Sequence, residues 1–350
     1  MKPARIKIAA ASLRQFISRV FQAKGMSVAD ADDVAEVIAW ADQRGTASHG
    51  VSRVPMYLGV IDRGDMDPKA VPSIDSRAGA IFVLDGQRAA GAVAMKRAVE
   101  EAARRAKAHG VAIGIVRKTT HTGAIGHYVH WAAERGFAAI FFNCGPPNMA
   151  YHGTRAPSLG TNPIAIGVPG ENGPVIVDMA TSLIANGKLI QARDRGEPIP
   201  TDWALTKEGD ITANPALAEI LLPLGGAKGS GLAFMFECMT GMLANNPIIL
   251  KQAGPGAKRK HTANAFMALI DVSVFRPLED YKRDMGALGR LVKALPKADG
   301  VEEVLLPGER GAREYEKRGR EGIVISKKAW GRLVEAAAQA GVEAPLVADA

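Results

Sequence analysis

Short apolar runs alternate with helical repeats along the middle of the chain, and that alternation constrains the fold more than any other feature. Residues 80–84, 111–116, 137–143, 164–168 and 175–177 read as buried strands bounded by Gly, Pro or Asn. Between them, residues 90–109 and 125–135 carry apolar side chains at helical spacing. A further strand is expected at 266–271, and helices at 232–243, 278–295, 309–320 and 327–340. Upstream, residues 11–46 read as two amphipathic helices, with Ser27 placed to cap the second. The pattern is α/β. Yet no intact G-x-G-x-x-G with an acid some twenty residues on occurs, so an ordinary dinucleotide-binding Rossmann fold is not expected.

Two segments carry the candidate chemistry. In THTGAIGHY, residues 120–128, His121 sits in a glycine-rich turn between a strand and a helix. Gly123 and Gly126 there allow positive φ or close approach to a ligand, and a helix start offers free N–H groups to an anion. The competing reading is a tight turn capped by its histidine. In RGTASHGVSRVPMY, residues 44–57, His49, Arg53 and Tyr57 fall at i, i+4 and i+8. If helical, they share one face that could grip a carboxylate, with the arginine fork on its two oxygens. Pro55 restricts such a helix to a first turn or a kink, and a solvated polar face is the plainer alternative.

Other positions are weaker. Asp178 ends the strand of DMATS, where it suits either a site or a helix cap. Residues 144–163 form a long Gly/Pro/Asn loop. In LLPLGGAKGSG, residues 221–231, glycines and Lys228 at a helix start make a phosphate-binding candidate, although the order is not that of a P-loop. Residues 247–261 read as a surface loop whose Lys258–Lys260 run is solvated.

Composition narrows the function classes. A chain of 350 residues, 47% hydrophobic and 23% charged, can bury a large core. Its net charge of +8 comes from scattered basic residues with only 5% aromatics, which favours small anionic ligands over nucleic acid. Cys144 and Cys238 are too few for a disulfide framework and lack zinc-site spacing. No metal is expected, because the close trio His121, His127 and His130 has no carboxylate at ligand spacing and the last two should face outward from a helix. No apolar run is long enough to span a membrane and the N-terminus lacks an export signal, so the expected location is the cytoplasm.

Taken together and in order, RGTASHGVSR, THTGAIGHY, SLGTNPIAIGVPG, VIVDMATS, LLPLGGAKGSGLAFM and VLLPGER make the chain resemble the type-2 malate/L-lactate dehydrogenase family, over about residues 10–340. That family includes malate, sulfolactate and ureidoglycolate dehydrogenases, diketogulonate reductase, and a reductase of cyclic piperideine and pyrroline 2-carboxylates. The resemblance implies an oxidoreductase using NAD or NADP on a small 2-oxo or 2-hydroxy carboxylate. It implies a non-Rossmann cofactor-binding domain with a largely antiparallel sheet, residues 76–299, and a helical part, residues 1–75, completed by 300–350. It also implies a homodimer with each active site near the interface. By motif, Arg53 and Ser48 contact substrate and Tyr57 assists, while His121 and His49 are the catalytic pair. His121 is favoured as acid/base, with His49 orienting. Cys144, Asp178, Met179, Ala180, Gly226, Lys228, Gly308 and Glu309 are the implied cofactor contacts. Ala47, Ala227 and the loop NCGPPNMAYHG depart from the family pattern and leave cofactor and substrate open. The alternatives are a cyclic-imine reductase and a binding protein that has lost turnover.

Overall fold

The computed structural model describes residues 5–252 and 262–350. In chain order come β1 (Arg5–Ile8), α1 (Ala10–Ala23), α2 (Val28–Gln43), a 3-10 turn (Val51–Arg53), α3 (Val54–Asp62), β2 (Ser73–Ala78), β3 (Ile81–Asp85), α4 (Gly91–His109) and β4 (Val111–Thr119). Next are α5 (Gly126–Glu134), β5 (Phe137–Cys144), β6 (Met149–Ala150), β7 (Pro157–Leu159), β8 (Ile164–Val168) and β9 (Val175–Met179). Then follow α6 (Asn186–Arg195), β10 (Ala204–Leu205), β11 (Ile220–Leu221), α7 (Ala227–Glu237), α8 (Ile248–Gln252) and β12 (Ala263–Asp271). The chain closes with α9 (Leu278–Lys293), α10 (Glu309–Glu321), β13 (Ile323–Ser326), α11 (Lys327–Gln339) and β14 (Ala348–Asp349).

Among the described residues the molecule is a mixed α/β structure built on three sheets. The central one runs β2-β3-β4-β12-β5-β8-β9. Only β3 and β4 pair in parallel, through the right-length crossover that α4 supplies; the other five neighbours are antiparallel. Its middle strand, β12, is almost wholly buried, which explains the uninterrupted apolar run in its sequence. A three-stranded sheet, β13-β1-β14, joins the two ends of the chain, with Arg5 opposite Ser326 and Ile8 opposite Ile323. A small sheet, β10-β11-β6-β7, organises the segment around α6.

One apolar core runs from the sheet residues Phe82, Leu84, Phe141 and Met267 through Met95 and Tyr128 to Phe16, Ile38 and Leu333. The helices that bring residues from both chain ends are therefore packed on the same interior as the sheet, rather than tethered beside it. A second, smaller core of Met149, Leu159, Leu189 and Leu221 lies beneath the four-stranded sheet.

Local chemistry sets several boundaries. Ser27 Oγ accepts the Asp30 N–H at 3.1 Å and starts α2. Gly110, at φ +80°, ends α4 in the left-handed region. Other boundaries differ from expectation. The helix expected from residue 232 starts at Ala227, so Lys228 and Gly229 lie in its first turn, and it passes into a π turn at Cys238–Met242. Asp178 lies within β9, which runs to Met179. Of the surface loop expected over 247–261, the first part is α8, and Lys258, Arg259 and Lys260 fall outside the described residues. His127 is buried rather than outward-facing: its ring packs edge-on against Trp40 and Tyr128, with Nε2 3.5 Å from Glu36. Among the described residues no helix is long and apolar enough to cross a membrane.

Candidate active site

A cavity of about 1050 Å³ opens where the N-terminal helices, the edge of the central sheet and the loop before α10 meet. That is at the upper end of ordinary small-molecule sites, about 300–1,000 Å³, so it has room for a small acid beside a larger partner.

Its N-terminal wall is the turn between α2 and α3. His49, Arg53 and Tyr57 do not share one helix: residues 47–50 form a turn, Val51–Arg53 a 3-10 turn, and α3 begins only at Val54, with Pro55 in its first turn. The three side chains nevertheless converge. Asp42, 4% exposed, anchors the turn by accepting the Val51 N–H at 2.7 Å. Burial raises its carboxyl to about 7, against the pull of that N–H and of Arg318. Arg53 is half-buried, with Nε donating to Ser48 O at 2.6 Å and Nη1 3.6 Å from Met56 Sδ. Ser48 Oγ lies 3.0 Å from His49 Nδ1. Burial and the Arg53 charge push His49 down to about 3, so it is neutral at physiological pH.

Facing this wall is the turn after β4. Gly123 has φ +75°, and a Cβ there would lie 2.6 Å from Val37, so the turn that presents His121 requires glycine. The rings of His121 and His49 stack at 5.5 Å between centroids, 20° from parallel. His121 Nδ1 lies 2.7 Å from Tyr57 Oη and accepts the Gly123 N–H at 3.2 Å. Gly126 makes room for an acid rather than a ligand: its N–H donates to Asp178 Oδ2 at 2.9 Å, and a Cβ there would stand 2.7 Å from that oxygen. Asp178 thus both faces the cavity and holds the start of α5. Although water in the cavity reaches it, the enclosing walls raise its carboxyl to about 6, opposed by the Gly126 N–H and Arg44.

Met179, Ala180, Ser48, Gly308 and Cys144 also line the cavity. The Cys144 thiol is buried, accepts from Thr240 at 2.8 Å and is pushed up to about 12 by burial, so it is an inert wall group. Gly226 and Lys228 lie outside the lining, as does Glu309. The Glu309 carboxylate instead accepts from Lys293 and Arg313, both at 2.5 Å, and from the Leu306 N–H at 2.9 Å, which together hold it down at about 2. It fixes the start of α10. Tyr57 is absent from the lining as well.

The cavity is electrically one-sided. Arg44, Arg53, Lys188, Arg310 and Arg318 line it against Asp178 and Glu314. Excess positive charge in such a cavity fits anionic ligands.

Comparison with known proteins identifies the family to which this architecture belongs. The sequence profile of malate/L-lactate dehydrogenases matches residues 8–334. The chain belongs to that family. It is 33% identical to the malate/(S)-sulfolactate dehydrogenase of Methanothermus fervidus, over 94% of this chain and 97% of the relative. Its fold superposes on malate dehydrogenase from Entamoeba histolytica with a TM-score of 0.91 at 27% identity, covering 98% and 100% of the two chains. It is also similar to the delta1-piperideine-2-carboxylate reductase of Pseudomonas syringae pv. tomato, with a TM-score of 0.83 at 30% identity and coverage of 94% and 99%. This family member is accordingly an oxidoreductase of the dehydrogenase and reductase type.

Several cavity residues of the family member were not singled out by sequence. Arg44 donates to Gly308 O at 2.9 Å and lies 5.0 Å above the Trp40 ring, bridging the two ends of the chain. Lys188, Arg310 and Arg318 come from α6 and α10, whose sequences look like ordinary charged helices. Asn162, at φ +22°, is buried with Oδ1 unpartnered among the described residues, and lies in the SLGTNP motif, whose Gly160-Thr161-Asn162 run was the available signal.

Proposed function

We propose that this protein transfers a hydride between NAD or NADP and C2 of a small 2-oxo or 2-hydroxy carboxylate of the malate, lactate or sulfolactate type. The observation that carries the reading is the stacked His121–His49 pair beside Arg53 in one basic cavity. The cofactor supplies the hydride when bound. Asp178, Met179, Ala180, Cys144 and Gly308 would hold it within the cavity; Gly226, Lys228 and Glu309 enter the proposal through their motifs alone. Residues 76–299, which hold nearly all of the antiparallel-rich sheet, are the proposed non-Rossmann cofactor unit, with a helical part from residues 1–75 completed by 300–350. The proposed working form is a cytoplasmic homodimer with its active sites near the interface.

In this reading Arg53 grips the carboxylate, because a planar fork matches two oxygens. His49, kept neutral, polarises and orients the group to be reduced. His121 delivers the proton in reduction and removes it in oxidation. A panel of 2-oxo acids and cyclic imine carboxylates assayed with each reduced nicotinamide tests the activity, and failure to consume either cofactor with any of them sinks it. Single-turnover rates separate the histidines: His121→Ala should slow the chemical step by about 10²- to 10⁴-fold, and His49→Ala should chiefly weaken substrate binding. The reverse outcome exchanges their roles. A cyclic-imine carboxylate substrate is the second reading, favoured by the likeness to the piperideine-2-carboxylate reductase. It needs the same carboxylate grip, and the same panel distinguishes it.

A further inference from the structure

Tyr57 is 5% exposed and stands behind the cavity wall, so its phenol meets His121 rather than a ligand. Its oxygen lies 2.7 Å from His121 Nδ1, and its ring packs against Phe21 at 6.4 Å. The Gly123 N–H reaches the same nitrogen at 3.2 Å. A backbone N–H can only donate, so Nδ1 carries a lone pair and the ring proton belongs on Nε2. The phenol must then be a second donor to Nδ1.

We propose that Tyr57 is a positioning residue and proton relay: it holds His121 with its proton on Nε2, and it replaces that proton through Nδ1 during reduction. The inference rests on reading His121 as the acid. As the C=O or C=N carbon accepts a hydride, the neighbouring oxygen or nitrogen takes the Nε2 proton. That N–H bond breaks, Nδ1 takes the phenolic proton, and the O–H electron pair stays on Tyr57 as phenolate. The imidazole ends neutral, and the negative charge leaves the substrate atom for the phenolate. Arg53 opposes the burial that pushes the phenol up to about 12, and so steadies that anion. After product release the phenolate recovers the Nδ1 proton, and water in the cavity reprotonates Nε2. The net step consumes one solvent proton. Gly123 favours this reset, because its N–H has no partner while Nδ1 is protonated.

The test uses Tyr57→Phe, which keeps the ring packing, together with 15N NMR of histidine-labelled, ligand-free protein. The wild type should place the His121 proton on Nε2, and Tyr57→Phe, which leaves the longer Gly123 N–H at 3.2 Å on Nδ1, should shift part of the population to the Nδ1 tautomer. In turnover the variant should lose about 10- to 1,000-fold in kcat while KM changes by less than about threefold. A wild-type proton on Nδ1 overturns the proposal. So does a Tyr57→Phe variant with unchanged kcat, whatever its tautomer, and a pure KM effect would return the phenol to substrate contact. If His121→Ala keeps the wild-type single-turnover rate, the acid reading beneath the relay falls, and the NMR result separately decides the positioning.

Discussion

Arg53 is set in place before any substrate arrives. Its Nε is committed to the Ser48 carbonyl and Nη1 to Met56, so the guanidinium plane is fixed by protein contacts. Such preorganisation reduces what binding must order, and it depends on the fork rather than on charge alone. Arg53→Lys should therefore raise KM and lower kcat/KM by about 10- to 1,000-fold, through weakening of charge-assisted hydrogen bonds worth about 1.5–3 kcal/mol each. Steady-state kinetics on the best 2-oxo acid check this, and near-wild-type values would remove Arg53 from the grip. At this scale the sequence was informative where side-chain type dictates chemistry. His49, Arg53 and His121 were legible as candidates alongside two plainer readings, a capped turn and a solvated face, and their lining of one cavity favours the candidates. Tyr57 was legible as a participant but not as a partner of His121, since 64 residues separate them and no local spacing encodes that contact.

The turn between α2 and α3 depends on one buried acid. In an unfolded chain Asp42 titrates near its ordinary 3.8, whereas burial holds it near 7 here. The fold thus binds that proton more tightly than the unfolded chain does. Its contribution to stability is complete below about pH 4 and is lost as the pH rises through 7. Asp42→Asn cannot ionise and keeps an oxygen for the Val51 N–H. Its melting temperature should gain on the wild type between pH 5 and pH 8, and a constant difference over that range would refute the assignment. Elements with their own periodicity, such as α1, α2, α4 and β8, were readable from sequence because each buries one face of a local repeat. The misses have different causes. β2 is exposed along its whole length and so shows no alternation. β1 and β13 pair across some 320 residues, which no window can register. The early start of α7 reflects tertiary packing, since a Cβ at Gly229 would stand 2.4 Å from the Thr181 carbonyl oxygen, within a segment whose glycines argue against helix.

Over the whole molecule, the site is assembled from parts that are distant along the chain. His49 and Arg53 come from the first sixth, His121 and Asp178 from the middle, and Gly308, Arg310 and Arg318 from the last stretch. A ligand that fills this cavity contacts all of them and binds only the folded state. Cofactor at about 100 times its Kd should stabilise by about 2.7 kcal/mol, which for a chain of this length raises Tm by about 3–4 °C. Parallel melts with NADH and NADPH would name the cofactor by the larger shift, and no shift with either would contradict the cavity assignment.

The two ends of the polypeptide close this cavity together: β1 pairs with β13, Arg44 with the Gly308 carbonyl, and Arg318 with the Asp42 carbonyl. During translation the N-terminal wall is synthesised first and waits for partners encoded some 260 to 320 residues later. A nascent chain or premature stop short of about residue 326 lacks the strand that β1 pairs with and the segment that completes the wall. A product stopped before that strand should therefore show no oxidoreductase turnover rather than a reduced rate.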